Sequence, residues 1–195
     1  MINGILLDIG FVFGPVVGFA PQIYKGIPQY RSELSILTII GCILKLFDNK
    51  NAQIDKVLQY QFYTTIFIHI YLIRLHSLKQ NQHRINFFGF LFYEGMYYAH
   101  LMPAMMLFLL TLKVFDSFGF SYLYMPISTA MDVGISLLHL DIYAKGKSKP
   151  LELFITWLIG DITKLILLIR KYNTPIWLIL GTAMQMIINL IIAVL

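Results

Sequence analysis

Charge is what this sequence has least of. Only 13% of its 195 residues are Asp, Glu, Lys or Arg and 58% are hydrophobic, against about 25% charged in a soluble domain. With a mean hydropathy of +0.71, such a chain cannot cover itself with a water-facing surface, and it reads as an integral membrane protein. One cysteine, Cys42, is present, which excludes an internal disulfide, a Cys-ligated zinc site and an iron–sulfur cluster. The net charge of +5 is scattered; with no basic cluster, a nucleic-acid partner is not expected. The N-terminus has no basic n-region of a cleavable signal and no N-x-Ser/Thr sequon occurs, so the first apolar run is read as a retained span. No Gly-x-Ser-x-Gly elbow, Walker loop, HExxH or suitably spaced carboxylate pair is found. No enzyme activity, cofactor or metal is therefore expected.

What is present is seven apolar runs separated by polar punctuation. They lie at about Ile5–Tyr24, Glu33–Phe47, Val57–Leu75, Phe92–Val114, Phe120–Tyr143, Leu151–Ile169 and Pro175–Leu195. The runs are continuous and lack period-two alternation, so the pattern predicts an all-α, polytopic protein of seven transmembrane helices rather than a barrel. Loops one-two, three-four and five-six, with Arg74, carry eight Lys and Arg against five in the opposite loops. That bias puts the first set in the cytoplasm, the N-terminus outside or in a lumen and the C-terminus at the cytoplasmic face.

An internal repeat organises the chain. Shifted by 119 residues, Ile23–Leu46 lies without gaps on Ile142–Leu165, with ten identities in 24 positions. These include Glu33 with Glu152, Gly41 with Gly160 and Lys45 with Lys164. Helices one and two thus correspond to five and six, and a 3+1+3 plan follows. Residues 1–80 would form one three-helix bundle, residues 81–118 a linker helix and residues 119–195 a second bundle. An odd linker makes the two bundles parallel, with a pathway between them.

Gly14-Pro15-Val16-Val17-Gly18-Phe19-Ala20-Pro21-Gln22-Ile23-Tyr24-Lys25 resembles the Pro-Gln motif of the PQ-loop family, whose relatives include cystinosin, SWEET sugar carriers and KDEL receptors. Trp157-Leu158-Ile159-Gly160-Asp161-Ile162-Thr163-Lys164 is similar to the W-x-x-G-D-x-x-K helix of the PQ-loop repeat-containing protein one subgroup. The resemblance covers most of the chain. It implies the same 3+1+3 fold, phospholipid scrambling, membrane lipids as partners, functional antagonism with lipid flippases, and a Golgi or endosomal membrane. Leu140-Asp141 stands where the second repeat should carry its own Pro-Gln pair.

Several residues are candidates for function. Pro21 removes a backbone donor and Gln22 can bond the freed carbonyl or a ligand, which makes either a hinge or a static helix terminus. Leu140 and Asp141 would be the straighter counterpart. Asp161 and Lys164, three apart on one face, can form a self-neutralised pair or line a polar track for a headgroup or proton. Lys45 has Cys42 where Lys164 has Asp161 and needs another partner, Asp132 first and Glu94 second. Glu33 and Glu152 suit the positive ends of helix dipoles. His69, His100 and His139 either relay protons or bond a neighbour. Lys45, Asp132, Asp161 and Lys164 together would shelter a zwitterionic headgroup, giving passive movement of phospholipid between leaflets. The competing expectation is a proton-coupled carrier of an amino acid or sugar, with a closed cavity, two gates and an acid such as Asp141 or Asp161. A non-transporting sorting receptor is the third.

Overall fold

The computed structural model describes the backbone of residues 2–25, 32–48, 54–79, 84–87, 90–144, 151–170 and 174–194, and side chains over most of these stretches. Among the described residues seven α-helices carry the fold: α1 (Ile2–Lys25), α2 (Ser32–Phe47), α3 (Lys56–Lys79), α4 (Glu94–Ser117), α5 (Tyr124–Ala144), α6 (Leu151–Arg170) and α7 (Ile176–Val194). The fold is helical, as the all-α reading expects, with one short hairpin besides. Arg84–Phe87 (β1) and Phe90–Tyr93 (β2) pair as an antiparallel hairpin, Arg84 opposite Tyr93 and Phe87 opposite Phe90. The fourth helix consequently starts at Glu94 rather than near Phe92.

Local chemistry sets several of the ends. Asp55 caps α3 by accepting a 2.8 Å bond from the Val57 N–H, which satisfies one of the donors a helix start leaves unpaired. Pro175 immediately precedes α7, a place where its missing N–H costs nothing. Between α4 and α5 the chain turns through Gly119, whose φ of 80° lies in the left-handed region that side chains with a Cβ avoid. A 3-10 turn, Phe120–Leu123, follows. Buried Tyr124 then donates from its hydroxyl to the Leu112 carbonyl at 2.6 Å, tying α5 back to α4.

Packing sorts the helices into two groups. α3 packs on both α1 and α2, and α7 on both α5 and α6. The groups meet along two seams, α2 with α5 and α1 with α6. Leu112 of α4 joins a cluster with Ile39, Ile43, Leu44, Ile73 and Tyr124, so α4 lies on the α2–α3 side. The outward faces are apolar: Ile9, Phe13, Val17, Phe67, Leu107, Leu110, Ile159, Ile169 and Leu180 are all exposed. Apolar surface on this scale requires a lipid rather than an aqueous surround. Among the described residues, Phe120–Asp141 and Ile176–Val194 are long and apolar enough to cross a membrane, and Leu34–Phe47 is a shorter apolar helix.

Candidate functional site

Polar side chains that cannot face lipid are turned inward, and they line a cavity of about 520 Å³ between the two groups. The α1–α3 group contributes Thr38, Lys45, Gln61, Thr65 and His69. The other group contributes Asp132, Ser136 and His139 from α5, Thr156, Asp161, Thr163 and Lys164 from α6, and Gln185 and Asn189 from α7.

Packed side chains stand at both ends of the cavity. Where α1, α3 and α5 finish and α6 begins, they form an aromatic cluster. Phe19 meets Trp157 edge-on with 5.6 Å between centroids and His69 at 5.0 Å, and Trp157 also meets His139 at 5.4 Å and Phe154 at 5.2 Å. Gly18 lies against this cluster, with room for a Cβ in van der Waals contact 3.4 Å from Trp157 Cδ1 but for little more. The opposite end is filled by Phe11, Leu58, Phe62, Met125, Leu168 and Leu178, again drawn from both groups.

The two seams are unequal. Along α2–α5, buried Lys45 forms a hydrogen-bonded ion pair with Asp132, and Ser128 Oγ donates to the Gly41 carbonyl at 2.9 Å. A Cβ on Gly41 would lie 3.4 Å from Asp132 Oδ1, so the helices cross closely there. Its repeat mate on α6, Gly160, has nothing within 4 Å of that position, and neither do Gly10 and Gly14 of α1. All three glycines line the cavity. The α1–α6 seam is therefore a window at mid-height, and the α2–α5 seam is shut.

Lys45 and Asp132 are thus in contact, and the Lys45 ammonium also stands 5.4 Å from the Phe62 ring centroid. Asp161 and Lys164 do not form the mutual pair their spacing allows. Asn189 Nδ2 of α7 donates to Asp161 Oδ2 at 2.7 Å, and among the described residues no hydrogen bond or ion pair reaches the Lys164 ammonium, which instead lines the cavity. Spacing of three residues brings two side chains to one face but does not oblige them to meet, and an amide from the next helix holds the carboxylate instead. His69 Nδ1 is bonded to Ser35 Oγ at 3.2 Å, and His139 Nδ1 donates to the Ile135 carbonyl at 3.0 Å. Pro21 and Asp141 are exposed, Gln22 is buried and Leu140 half-buried. None of these four lines the cavity, and both α1 and α5 run helical through them. The side chains of Glu33, Glu94, His100 and Glu152 lie outside the described residues.

Three amides were not singled out from the sequence. Gln185 and Asn189 stand four apart on otherwise apolar α7, a spacing that marks one inward face. Gln185 Nε2 donates to the Asp132 carbonyl at 3.3 Å. Gln61 Nε2 donates to the Phe11 carbonyl at 3.2 Å. Pro15, inside α1, has no N–H to offer that carbonyl, and Gln61 supplies the missing donor from α3.

No protein-family model and no curated protein matches this chain. Among solved structures, a eukaryotic SWEET transporter matches with a TM-score of 0.60 over 97% of this chain and 89% of that chain, at 11% sequence identity. The chain shares the fold of that transporter.

Proposed function

We propose that the protein is a multi-pass membrane carrier for a small polar solute, built as two parallel three-helix halves joined by α4. The observation that supports this reading is a polar cavity between the halves, with packed side chains from both at each end. A carrier needs a site that can be exposed to one side at a time, and two separate stops meet that need. Lys45 and Asp132 tie the halves together in this scheme, and Asp161 and Lys164 meet the solute. The loop cations put the Phe19–Trp157 stop towards the cytoplasm and the N-terminus towards the lumen. The resemblance to the scrambling subgroup carries the expectation of a Golgi or endosomal membrane.

A second reading, movement of a phospholipid headgroup between leaflets, is favoured by the α1–α6 window at Gly10, Gly14 and Gly160. Reconstitution separates the two. The purified chain in liposomes is expected to take up labelled amino acid or sugar down an imposed pH gradient, while a leaflet-restricted fluorescent phospholipid stays where it was placed. Lipid equilibration without solute entry would overturn the carrier reading in favour of the second.

A further inference from the structure

We infer that the cavity is built for a zwitterion, with the anionic group on Lys164 and the cationic group on Asp161; this rests on the proposed function of the cavity. The argument starts from the repeat. Lys45 and Lys164 are repeat mates, yet their surroundings differ at two positions. Lys45 is neutralised across the seam by Asp132. The residue 119 positions before Asp132 is Phe13, which is 53% exposed, so no carboxylate stands at the matching place on α1, and Lys164 has Asp132 and Asp161 within electrostatic range but in ion-pair contact with neither. One turn back on its own helix, Lys45 has Cys42 where Lys164 has Asp161. One half of the pseudo-symmetric arrangement is therefore a completed ion pair, and the other is two opposite charges left apart.

Those two charges face the same space. Both line the cavity. Asp161 has one oxygen on the Asn189 amide, and among the described residues nothing hydrogen-bonds the Lys164 ammonium. Away from bulk water an ion without a hydrogen-bonding partner is expensive. A neutral sugar would leave both ions as they are, and a singly charged ligand would add net charge. A ligand with one group of each sign gives each ion a charge-assisted partner and leaves the site neutral. At about 520 Å³ the space lies within the usual range of roughly 300–1,000 Å³ for small-molecule sites. The same chemistry is offered by a free amino acid and by a phosphate-ammonium lipid headgroup entering through the α1–α6 window.

The test uses the full chain in liposomes, with labelled alanine, propionate, alaninamide and glucose as solutes and labelled phosphatidylethanolamine and phosphatidylglycerol in the membrane. Alanine is expected to enter at least tenfold faster than the other three solutes, about the worth of one charged hydrogen bond. Lys164→Gln should abolish the preference for alanine over alaninamide, and Asp161→Asn the preference for alanine over propionate. If the zwitterion is a lipid headgroup, phosphatidylethanolamine exchanges at least tenfold faster than phosphatidylglycerol while alanine stays outside; Asp161→Asn erases that margin, and Lys164→Gln, which removes the partner of the phosphate both lipids carry, slows both and leaves the margin. A selectivity change of this kind is not produced by misfolding, which lowers every probe together. Glucose or a singly charged solute entering fastest, or both variants slowing all probes equally, overturns the zwitterion while leaving a carrier. No solute uptake and no lipid exchange overturns the proposed function as well.

Discussion

Asp132→Asn removes a charge while keeping the shape of the side chain, and the structure fixes how much that should cost. The lysine side chain left behind is 3% exposed, whereas that of Asp132 is 12% exposed. Removing one partner of a buried pair strands the other and typically costs about 3–5 kcal/mol. Lys164 lies within electrostatic range of Lys45, so the stranded ammonium also meets a like charge. In a chain of this length each kcal/mol moves the melting temperature by about 2–4 °C, so Asp132→Asn should lower Tm by about 6–20 °C. Lys45→Met strands the carboxylate instead, but at the cavity edge and within range of the Lys164 ammonium, and should cost less, about 1–3 kcal/mol. Lys45→Met with Asp132→Leu leaves neither ion and should recover most of the loss, because apolar replacement of a whole buried pair is often neutral. Thermal unfolding in detergent, followed by tryptophan emission, reads all three. Additive losses, or Lys45→Met proving the more damaging single change, would refute the reasoning.

Three further outcomes are expected. Gly181→Ala should cost about 1–3 kcal/mol, because its Cβ would stand 2.8 Å from Thr129 Cγ2, a stiff β-branched side chain; Thr129→Ser in the same chain should restore the melting point. Gln61→Leu should cost about 1–3 kcal/mol by stranding the Phe11 carbonyl, and much less beside Pro15→Ala, whose new N–H can serve it; equal losses in the two backgrounds would remove the proline-capping account. Gly18→Ala should leave tryptophan emission unchanged, since 3.4 Å to Trp157 is van der Waals contact, whereas Gly18→Leu should displace the indole and shift the spectrum.

The helices were legible because lipid-facing helices are apolar throughout and their ends are not. Clusters such as Asp48 to Asn51 and Lys145 to Pro150 mark where the solvent changes. The hairpin was not legible. Phe87-Phe88-Gly89-Phe90-Leu91-Phe92-Tyr93 is apolar without a period, and such a run reads equally as strand or helix. Within the site, the Lys45–Asp132 contact could be reasoned from the sequence, because a buried cation needs an anion and the repeat mate's nearest acid is missing. The Asp161–Asn189 contact could not, since spacing along α6 points to Lys164 and gives no information about α7. The inequality of the seams was equally invisible, as it depends on helix separation where the residues, Gly41 and Gly160, are identical.

That inequality dictates how the molecule can move. With α2 and α5 bonded through side chains and α1 and α6 apart at the same height, the bundle is bound like a book, with a spine on one edge and loose pages on the other. Rotation about the spine leaves its bonds intact while separating α1 from α6 beyond their Phe19–Trp157 contact, which opens the cavity sideways and is the motion the phospholipid reading requires. Spin labels across the fore-edge should register nearly all of the displacement, and labels across the spine almost none.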